Sequence, residues 1–165
     1  MENLLLKGVD GDKSGNAAQF VTFSIGDEFY GVTTAKVHEI IGMTKITPIP
    51  NSMGYMKGVI NLRGNVVPVV DMRLKFAMEE KKFTDQTIII IVEIKNRLFG
   101  MIVDSVSDVL GISGDRIQDT PHFSVKIDTD FISGIADKND QLIIILDVDK
   151  ILTDHEIMEA EAISA

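Results

Sequence analysis

Apolar and polar residues alternate along much of the chain, beginning at residue 20. In the segment 20–25 (FVTFSI), the apolar residues at positions 21, 23 and 25 are separated by Thr and Ser. A period of two, with β-branched and aromatic residues, predicts a strand with one buried face. The Gly-Asp pair at 26–27 predicts a two-residue hairpin turn, and the apolar run 29–32 predicts the returning strand.

Several further apolar runs have the length and composition of strands. Turn residues such as Arg63-Gly64 and Lys95-Asn96 separate them. Pro68 lies inside one run and predicts an edge or a bulge there, because proline has no amide N–H to give to a ladder. The predicted strands are 59–62, 66–70, 86–94, 98–103, 131–136 and 142–146.

Helical patterns are few. Residues 34–37 predict a single turn, and Thr153 followed three residues later by Glu156 fits a capping box. The capping box predicts a C-terminal helix at about 153–163. The pattern as a whole therefore predicts an all-β fold with a short C-terminal helix.

The chain also repeats itself weakly. Residues 29–41 resemble residues 98–110 at an offset of 69, and residues 58–71 resemble residues 134–147 at an offset of 76. The two fixed offsets predict two similar β lobes, each a small barrel. Chance similarity among Val- and Ile-rich strands is the alternative. Residues 78–86 are predicted to form the crossover between the two lobes. The pattern does not decide whether strands are exchanged between the lobes.

Composition narrows the class of protein. The chain has 165 residues, 45% of them hydrophobic, which is enough apolar material for a core. It has no cysteine, so disulfides, thiol catalysis and cysteine-rich zinc sites are excluded. The net charge of −9 disfavours nucleic-acid binding, since the densest basic run is only Lys81-Lys82.

The sequence contains no apolar run of the roughly 18 residues that a membrane span needs. The N-terminus does not have the pattern of a signal peptide, because Glu2 is acidic and the apolar stretch 4–6 is short. Residues 1–16 have turn chemistry and predict a flexible tail. We therefore expect a cytoplasmic protein without direct membrane insertion.

Candidate catalytic and metal-binding patterns are incomplete. His38, His122 and His155 do not form a zinc motif, and a calcium-loop pattern that begins at Asp10 has Val21 where the last carboxylate belongs. Ser113 lacks the second glycine of a nucleophile elbow. We expect no enzyme activity, no metal and no cofactor. The alternative hypothesis is an unrecognised hydrolase.

The segment 58–71 (GVINLRGNVVPVVD) is the most distinctive stretch and reads as strand, tight turn, strand. Arg63 sits beside the turn glycine Gly64, so its guanidinium is expected at a loop tip. A guanidinium held there offers planar donors to a carboxylate or to backbone carbonyls of a partner. A solvated turn arginine is the alternative.

At these residues the chain resembles the CheW family of bacterial chemotaxis adaptors. The segments 29–40, 57–71 and 100–109 resemble the family's motifs, and the likeness runs from about residue 19 to the C-terminal helix. The resemblance implies two five-stranded SH3-like barrels around a shared hydrophobic seam. In these terms lobe one spans about 17–77 and lobe two about 86–152, within a domain of 17–165.

The resemblance also implies a function. The family's proteins are non-catalytic scaffolds that join the histidine kinase CheA, through its regulatory domain, to the cytoplasmic tips of chemoreceptors. A free monomer that joins rings within receptor arrays is expected. The family's partner-binding positions correspond here to Arg63, Gly58, Gly64, Val37, Glu39 and Val106.

Two alternatives stay open at this point. The same domain occurs within CheA and within CheV. One alternative hypothesis is therefore that the chain is a piece of a larger chemotaxis protein. A barrel-type module that binds a ligand such as an oligosaccharide is the other alternative. It would require exposed aromatic residues beside basic side chains, whereas the chain has no Trp.

Overall fold

The computed structural model describes residues 17–50, 54–118 and 131–164. The expected tail, residues 1–16, lies outside the described residues, as does His122. Strands dominate the fold, and short 3-10 turns stand at Thr34–Lys36, Gly114–Arg116 and Val148–Lys150. The strands are β1 (Ala17–Ile25), β2 (Glu28–Thr33), β3 (Val37–Gly42), β4 (Met56–Leu62), β5 (Asn65–Asp71), β6 (Ile88–Ile94), β7 (Arg97–Val103), β8 (Ser105–Ser113), β9 (Ile117–Gln118), β10 (Ile132–Lys138) and β11 (Gln141–Leu146), and the helices are α1 (Met72–Lys75) and α2 (Asp154–Ser164).

The strands form two sheets that exchange hairpins. The first sheet has the order β8-β1-β2-β11-β10-β9, and the second has the order β3-β6-β7-β5-β4. The β1–β2 hairpin therefore belongs with the C-terminal strands, and the β6–β7 hairpin belongs with β3, β4 and β5. The expected lobe limits, 17–77 and 86–152, are consequently not the limits of the two sheets. Pairings such as β2 with β11 are long-range, so the local pattern does not encode them.

The two sheets repeat one arrangement. Within each sheet a parallel contact joins two hairpins, β2 with β11 in the first and β7 with β5 in the second. The edge strand β8 corresponds to β3. The place of β9 is taken in the second sheet by Thr47, which forms a bridge to Val59. The duplication predicted from the two offsets is thus visible in the strand order.

Hairpin turns with positive φ close the strand pairs. Arg63 and Gly64 have φ of 50° and 91°, and Asn139 and Asp140 have φ of 55° and 63°. Two consecutive residues with positive φ are the requirement of a type I′ turn, which matches the twist of antiparallel strands. The turns predicted at 26–27, 63–64 and 95–96 all join paired strands.

Three apolar clusters form the core. The largest lies between the sheets and includes Phe23, Tyr30, Met72 and Phe99, all nearly or fully buried. A smaller cluster around Ile89 lies within the second sheet, and another around Ile143 lies within the first. The central cluster is the shared hydrophobic seam that the predicted fold requires. It contains more buried residues than the cluster within either sheet.

The C-terminal helix begins as predicted. The Thr153 hydroxyl accepts a hydrogen bond from the amide of Glu156 at 3.2 Å, and the Glu156 carboxylate accepts one from the amide of Thr153 at 2.8 Å. These two bonds are the reciprocal pair of a capping box. Ile157 and Ala160 then anchor the helix on the central cluster. None of the helices in the described ranges is long and apolar enough to cross a membrane.

Candidate partner-binding site

The site is built on the hairpin of β4 and β5. Its turn is fixed by Asn61, whose side-chain Oδ1 accepts a hydrogen bond from the amide of Gly64 at 2.7 Å. Arg63 occupies the first turn position with its positive φ, and its side chain is 66% exposed. A Cβ at Gly64 would meet no atom, so glycine is required there by its φ and not by space.

Arg63 is held by a carboxylate from another edge of the sheet. Its Nη1 donates to Oε2 of Glu39 at 3.1 Å, and its Nη2 donates to Oε1. Glu39 belongs to β3 and Arg63 follows β4, and these strands are the two edges of the second sheet. The bidentate pair therefore joins the two edges and favours closure of the sheet into a barrel.

The pair fixes the charge state of both groups. The hydrogen bond from Arg63 lowers the pKa of Glu39 below its ordinary value, and the same bond raises the pKa of Arg63. The Glu39 side chain is only 13% exposed, whereas the guanidinium faces solvent. The arrangement thus presents an oriented cation on an exposed side chain, and a guanidinium has further N–H donors beyond the two that bind Glu39.

Gly58 has a different role in the same hairpin. It is buried, with φ of 145°, and a Cβ at this position would collide with the backbone of Thr47. Thr47 exchanges hydrogen bonds of 2.8 and 2.9 Å with Val59. Glycine at 58 therefore allows a bridging segment to approach β4 closely, which supports the hairpin from beneath.

Val37 and Val106 lie at the seam. Val37 opens β3, is buried and belongs to the central cluster. Val106 occupies the equivalent edge strand β8 of the other sheet, is half-buried and packs against the same cluster. The two positions place apolar side chains from both sheets on one continuous apolar region.

The structure thus sorts the expected site residues into groups. Arg63, Gly64 and Glu39 meet at one end of the second sheet. Val37 precedes Glu39 by two residues on the same strand, so β3 connects this end to the seam. Gly58 supports the hairpin without reaching its surface.

A second polar cluster was missed by the sequence reasoning. Arg73 of α1 binds both carboxylate oxygens of Asp104, with N–O distances of 2.9 and 2.8 Å. Asp104 also accepts a hydrogen bond from the amide of Gly26 at 2.9 Å. Burial alone would raise the pKa of Asp104, but the bonds from Arg73 and Gly26 lower it. No sequence motif links residues so far apart along the chain.

Asp71 is the one carboxylate that is almost fully buried among the described residues. Its side chain accepts a hydrogen bond from the amide of Arg73 at 2.9 Å and so caps α1. Burial raises its pKa, although the backbone N–H groups of the helix oppose that shift. Its contacts account for Asp71 as a structural cap, in agreement with its place at the end of β5.

Other candidate residues have ordinary surroundings. The Ser113 hydroxyl donates to Asp115 at 2.7 Å in an exposed turn. His155 is exposed and contacts Glu159 at 3.0 Å on α2. Within the described ranges no group of three or more His, Asp or Glu side chains is arranged to hold a metal ion.

Comparisons with known proteins agree with this architecture. The family model of the CheW-like domain matches residues 19–156. The Chemotaxis protein CheW of Klebsiella aerogenes is 36% identical over 139 residues, which cover 84% of this chain and 84% of that protein. The Chemotaxis protein CheW of Rhizobium meliloti is 34% identical over 138 residues, covering 84% of this chain and 89% of that protein.

A solved structure gives the same result in three dimensions. The crystal structure of the scaffolding protein TtCheW from Thermoanaerobacter tengcongensis matches with a TM-score of 0.79 and 35% sequence identity. The match covers 85% of this chain and 95% of that chain. It confirms the predicted all-β fold with two lobes. With a family model that spans most of its length, the chain belongs to the CheW family.

Proposed function

We propose that the chain is a non-catalytic chemotaxis adaptor that links the kinase CheA to chemoreceptor cytoplasmic tips and couples receptor state to kinase activity. The observation that carries the proposal is the exposed Arg63 guanidinium, oriented by Glu39 at the tip of the β4–β5 hairpin. The names of the similar proteins, which are chemotaxis and scaffolding proteins, support the same role.

The mechanism is binding and not bond-breaking. A helical receptor tip would bury apolar surface against the half-buried Val106 at the margin of the seam, which the buried Val37 would support from within, at roughly 25 cal/mol per Å² before the costs of association. Arg63 would add orientation through charge-assisted hydrogen bonds, because a guanidinium fork fixes the direction of its acceptor. Simultaneous binding of the kinase's regulatory domain would then fix the geometry between the two partners.

A reconstituted ternary assembly tests the proposal. The protein is mixed with CheA and a chemoreceptor cytoplasmic fragment, and co-sedimentation and kinase autophosphorylation are measured. Wild type is expected to enter the assembly and raise autophosphorylation, whereas Arg63→Asn is expected to lose at least about tenfold in coupling affinity. Asn suits the positive φ of the turn, so this variant removes the guanidinium and keeps the backbone.

The matched control is Asn139→Gly, which alters the equivalent turn of the other sheet at a residue of positive φ. It is expected to couple as wild type does. Loss of coupling in both variants would assign the effect to general folding, and wild-type coupling in Arg63→Asn would contradict the role given to Arg63. If wild type itself ignores both partners, the adaptor proposal fails.

A further inference from the structure

Within the described ranges the chain crosses between the two sheets at two places. Residues 34–36 lead from β2 of the first sheet to β3 of the second, and Asp104 leads from β7 of the second sheet to β8 of the first. Two linked points do not fix the angle between two bodies, because rotation about the line that joins the points stays open. Contacts between the sheets, and not the chain alone, therefore set that angle.

Arg73 binds the crossing at Asp104 from the second sheet. Its Nε and Nη2 donate to the two carboxylate oxygens of Asp104 at 2.9 and 2.8 Å. Oδ2 of Asp104 also accepts a hydrogen bond from the amide of Gly26, in the turn between β1 and β2, at 2.9 Å. One carboxylate thus joins a helix that follows β5 of the second sheet to a hairpin of the first.

Further bonds fix the direction of the Arg73 side chain. Its Nη1 donates to the carbonyl oxygen of Glu79 at 3.3 Å, and its backbone amide donates to Asp71 at 2.9 Å. The backbone amide of Asp104 in turn donates to the carbonyl oxygen of Ser24 on β1 at 3.0 Å. Because a guanidinium bound at two points fixes the direction of its acceptor, this pair constrains orientation as well as distance.

The rest of α1 also contacts elements that belong with the first sheet. The ring of Phe76, at the end of α1, has its centroid 5.3 Å from that of Tyr30 on β2 and 5.1 Å from that of Phe131, which precedes β10. Nζ of Lys75 lies 3.4 Å from the carboxylate of Glu156 in the capping box of α2. The short helix α1 therefore lies at the junction of the two sheets.

We propose that Arg73 is a positioning residue for partner binding, because its bonds to Asp104 fix the angle between the sheets and hence the spacing of Val37 on β3 from Val106 on β8. These two positions belong to different sheets, so their separation changes with the angle. Val106 follows Asp104 by two residues, so a shift at the crossing displaces β8 directly. The inference rests on the proposed function for its partner, a helical receptor tip, whereas the angle itself is measurable without a partner.

Residual dipolar couplings of the isotope-labelled protein measure the angle between the sheets. In wild type, the couplings from both sheets are expected to fit a single orientation. Arg73→Gln removes the charge and the two-point bond to Asp104. The couplings of each sheet in this variant should still fit when taken separately, but the angle between the two sets should shift by more than the error of the wild-type fit.

Binding of a chemoreceptor cytoplasmic fragment is measured by titration calorimetry on the same proteins. Arg73→Gln is expected to bind the fragment about fivefold or more weakly than wild type does. Arg73→Lys keeps the charge without the planar fork, so both its angle and its affinity should lie between those of wild type and Arg73→Gln. If Arg73→Gln does not fold, Arg73→Lys decides the question, because a positioning role requires that angle and affinity change together.

The control is Ile145→Val, which removes a methylene group from the apolar cluster within the first sheet. It should lower the thermal stability and keep the wild-type angle and affinity. The inference is wrong if the arginine variants keep the wild-type angle, if they bind the fragment as wild type does despite an altered angle, or if Ile145→Val changes both quantities equally. If wild type itself does not bind the fragment, the adaptor proposal fails together with the partner named here, while the couplings still decide whether Arg73 sets the angle.

Discussion

The hairpin tips of the two sheets have the same backbone and different side chains. The turn Arg63-Gly64 of the second sheet corresponds to Asn139-Asp140 of the first, and all four residues have positive φ. Asn is one of the few residues that adopt this conformation readily, whereas Arg has no such tendency. The fold therefore requires a turn of this shape at 63–64 and does not require arginine.

The residue at the position of Glu39, the partner of Arg63, also differs between the two sheets. Asp108 takes the place of Glu39 in the first sheet, and its carboxylate accepts a hydrogen bond from the next amide, that of Val109, at 2.8 Å. No ion pair across the sheet edges is formed by Asp108 within the described ranges. The comparison teaches that one backbone scaffold forms its hairpin tip with the pair of Arg63 and Glu39 in one sheet and without an equivalent pair at Asn139 and Asp108 in the other, so the scaffold itself does not require the pair.

The largest effect in this comparison is expected at the glycines beneath the two hairpins. Gly58→Ala should destabilise the protein by about 3 kcal/mol, because the new Cβ collides with backbone and φ is 145°. Gly134→Ala should cost less, since its Cβ would lie 2.6 Å from Cγ2 of Ile117 and 2.8 Å from the carbonyl oxygen of Gln118, whereas a Cβ at 58 would lie 2.1 Å from the carbonyl oxygen of Thr47. Urea unfolding of both variants measures the order, and a reversed order would contradict the equivalence drawn here.

Two ion pairs also occupy similar places in the two sheets. Arg73 of α1, which follows the β4–β5 hairpin, pairs with Asp104 at the end of the β6–β7 hairpin. Lys36, which follows the β1–β2 hairpin, pairs with Asp149, which follows the β10–β11 hairpin. Arg73 and Asp104 have side chains 17% and 22% exposed, whereas Lys36 and Asp149 are 39% and 40% exposed. Asp104→Ala should cost about 2 kcal/mol, because it leaves Arg73 and the amide of Gly26 without their acceptor.

The matched variant Lys36→Ala should cost only about 0.5 kcal/mol, since exposed ion pairs contribute little. Differential scanning calorimetry of the two variants distinguishes them. Equal losses would show that exposure is not what separates the two pairs. A larger loss for Lys36→Ala would show that the first sheet depends on its surface pair.

Most strands and turns were predictable because their patterns are local, whereas β3, β8 and β9 were not among the predicted strands. Alternation at 20–25 and the turn at 26–27 indicate a hairpin without reference to the rest of the chain. The partner of that hairpin is not encoded locally, since β1 pairs with β8 some eighty residues away. The exchange of hairpins between the sheets was therefore beyond the reach of the pattern, although the repeat itself was visible in the offsets.

The site was predictable in part for the same reason. Arg63 was identified from its place beside a turn glycine. Glu39 was identified only through the family resemblance, because its contact with Arg63 joins two edges of the sheet that are far apart in the sequence pattern. Pro68 was expected at an edge or bulge, yet β5 lies inside the sheet, and only the late start of its ladder with β7 leaves the proline nitrogen unopposed.

The caps that follow β5 and β11 give a smaller contrast. Asp71 caps α1 and Asp147 caps the turn at Val148–Lys150, but only Asp71 is buried. Asp71→Ala should cost about 1 kcal/mol through loss of the cap. Asp71→Asn keeps a capping oxygen and removes a buried charge, so near neutral pH it should be at least as stable as wild type.

The raised pKa of Asp71 sets the pH dependence of that difference. Folding favours the protonated carboxyl, so the cost of the buried charge is present above the folded pKa and decreases as pH falls through it. Any advantage of Asp71→Asn over wild type should therefore shrink in acid. Chemical unfolding at several pH values measures this, and an advantage that grows in acid would contradict the assignment.

The smallest effect on stability is expected at the tips themselves. Arg63→Asn gives the second sheet the residue that the first has at 139, so thermal unfolding near neutral pH should change little. The pKa of Glu39 should nevertheless rise toward its ordinary value, because the hydrogen bond from Arg63 is its main cause of lowering. NMR titration of the Glu39 carboxyl measures that rise directly.

The sign of the pH dependence follows from the lowered pKa. Whatever stability the pair of Arg63 and Glu39 contributes is present above the unfolded pKa of Glu39 and is lost as pH falls through its folded pKa. Wild type and Arg63→Asn should therefore converge in acid. An unchanged Glu39 titration in the variant would show that the ion pair does not form in solution, and the turn arginine would then lack the orientation on which its proposed role depends.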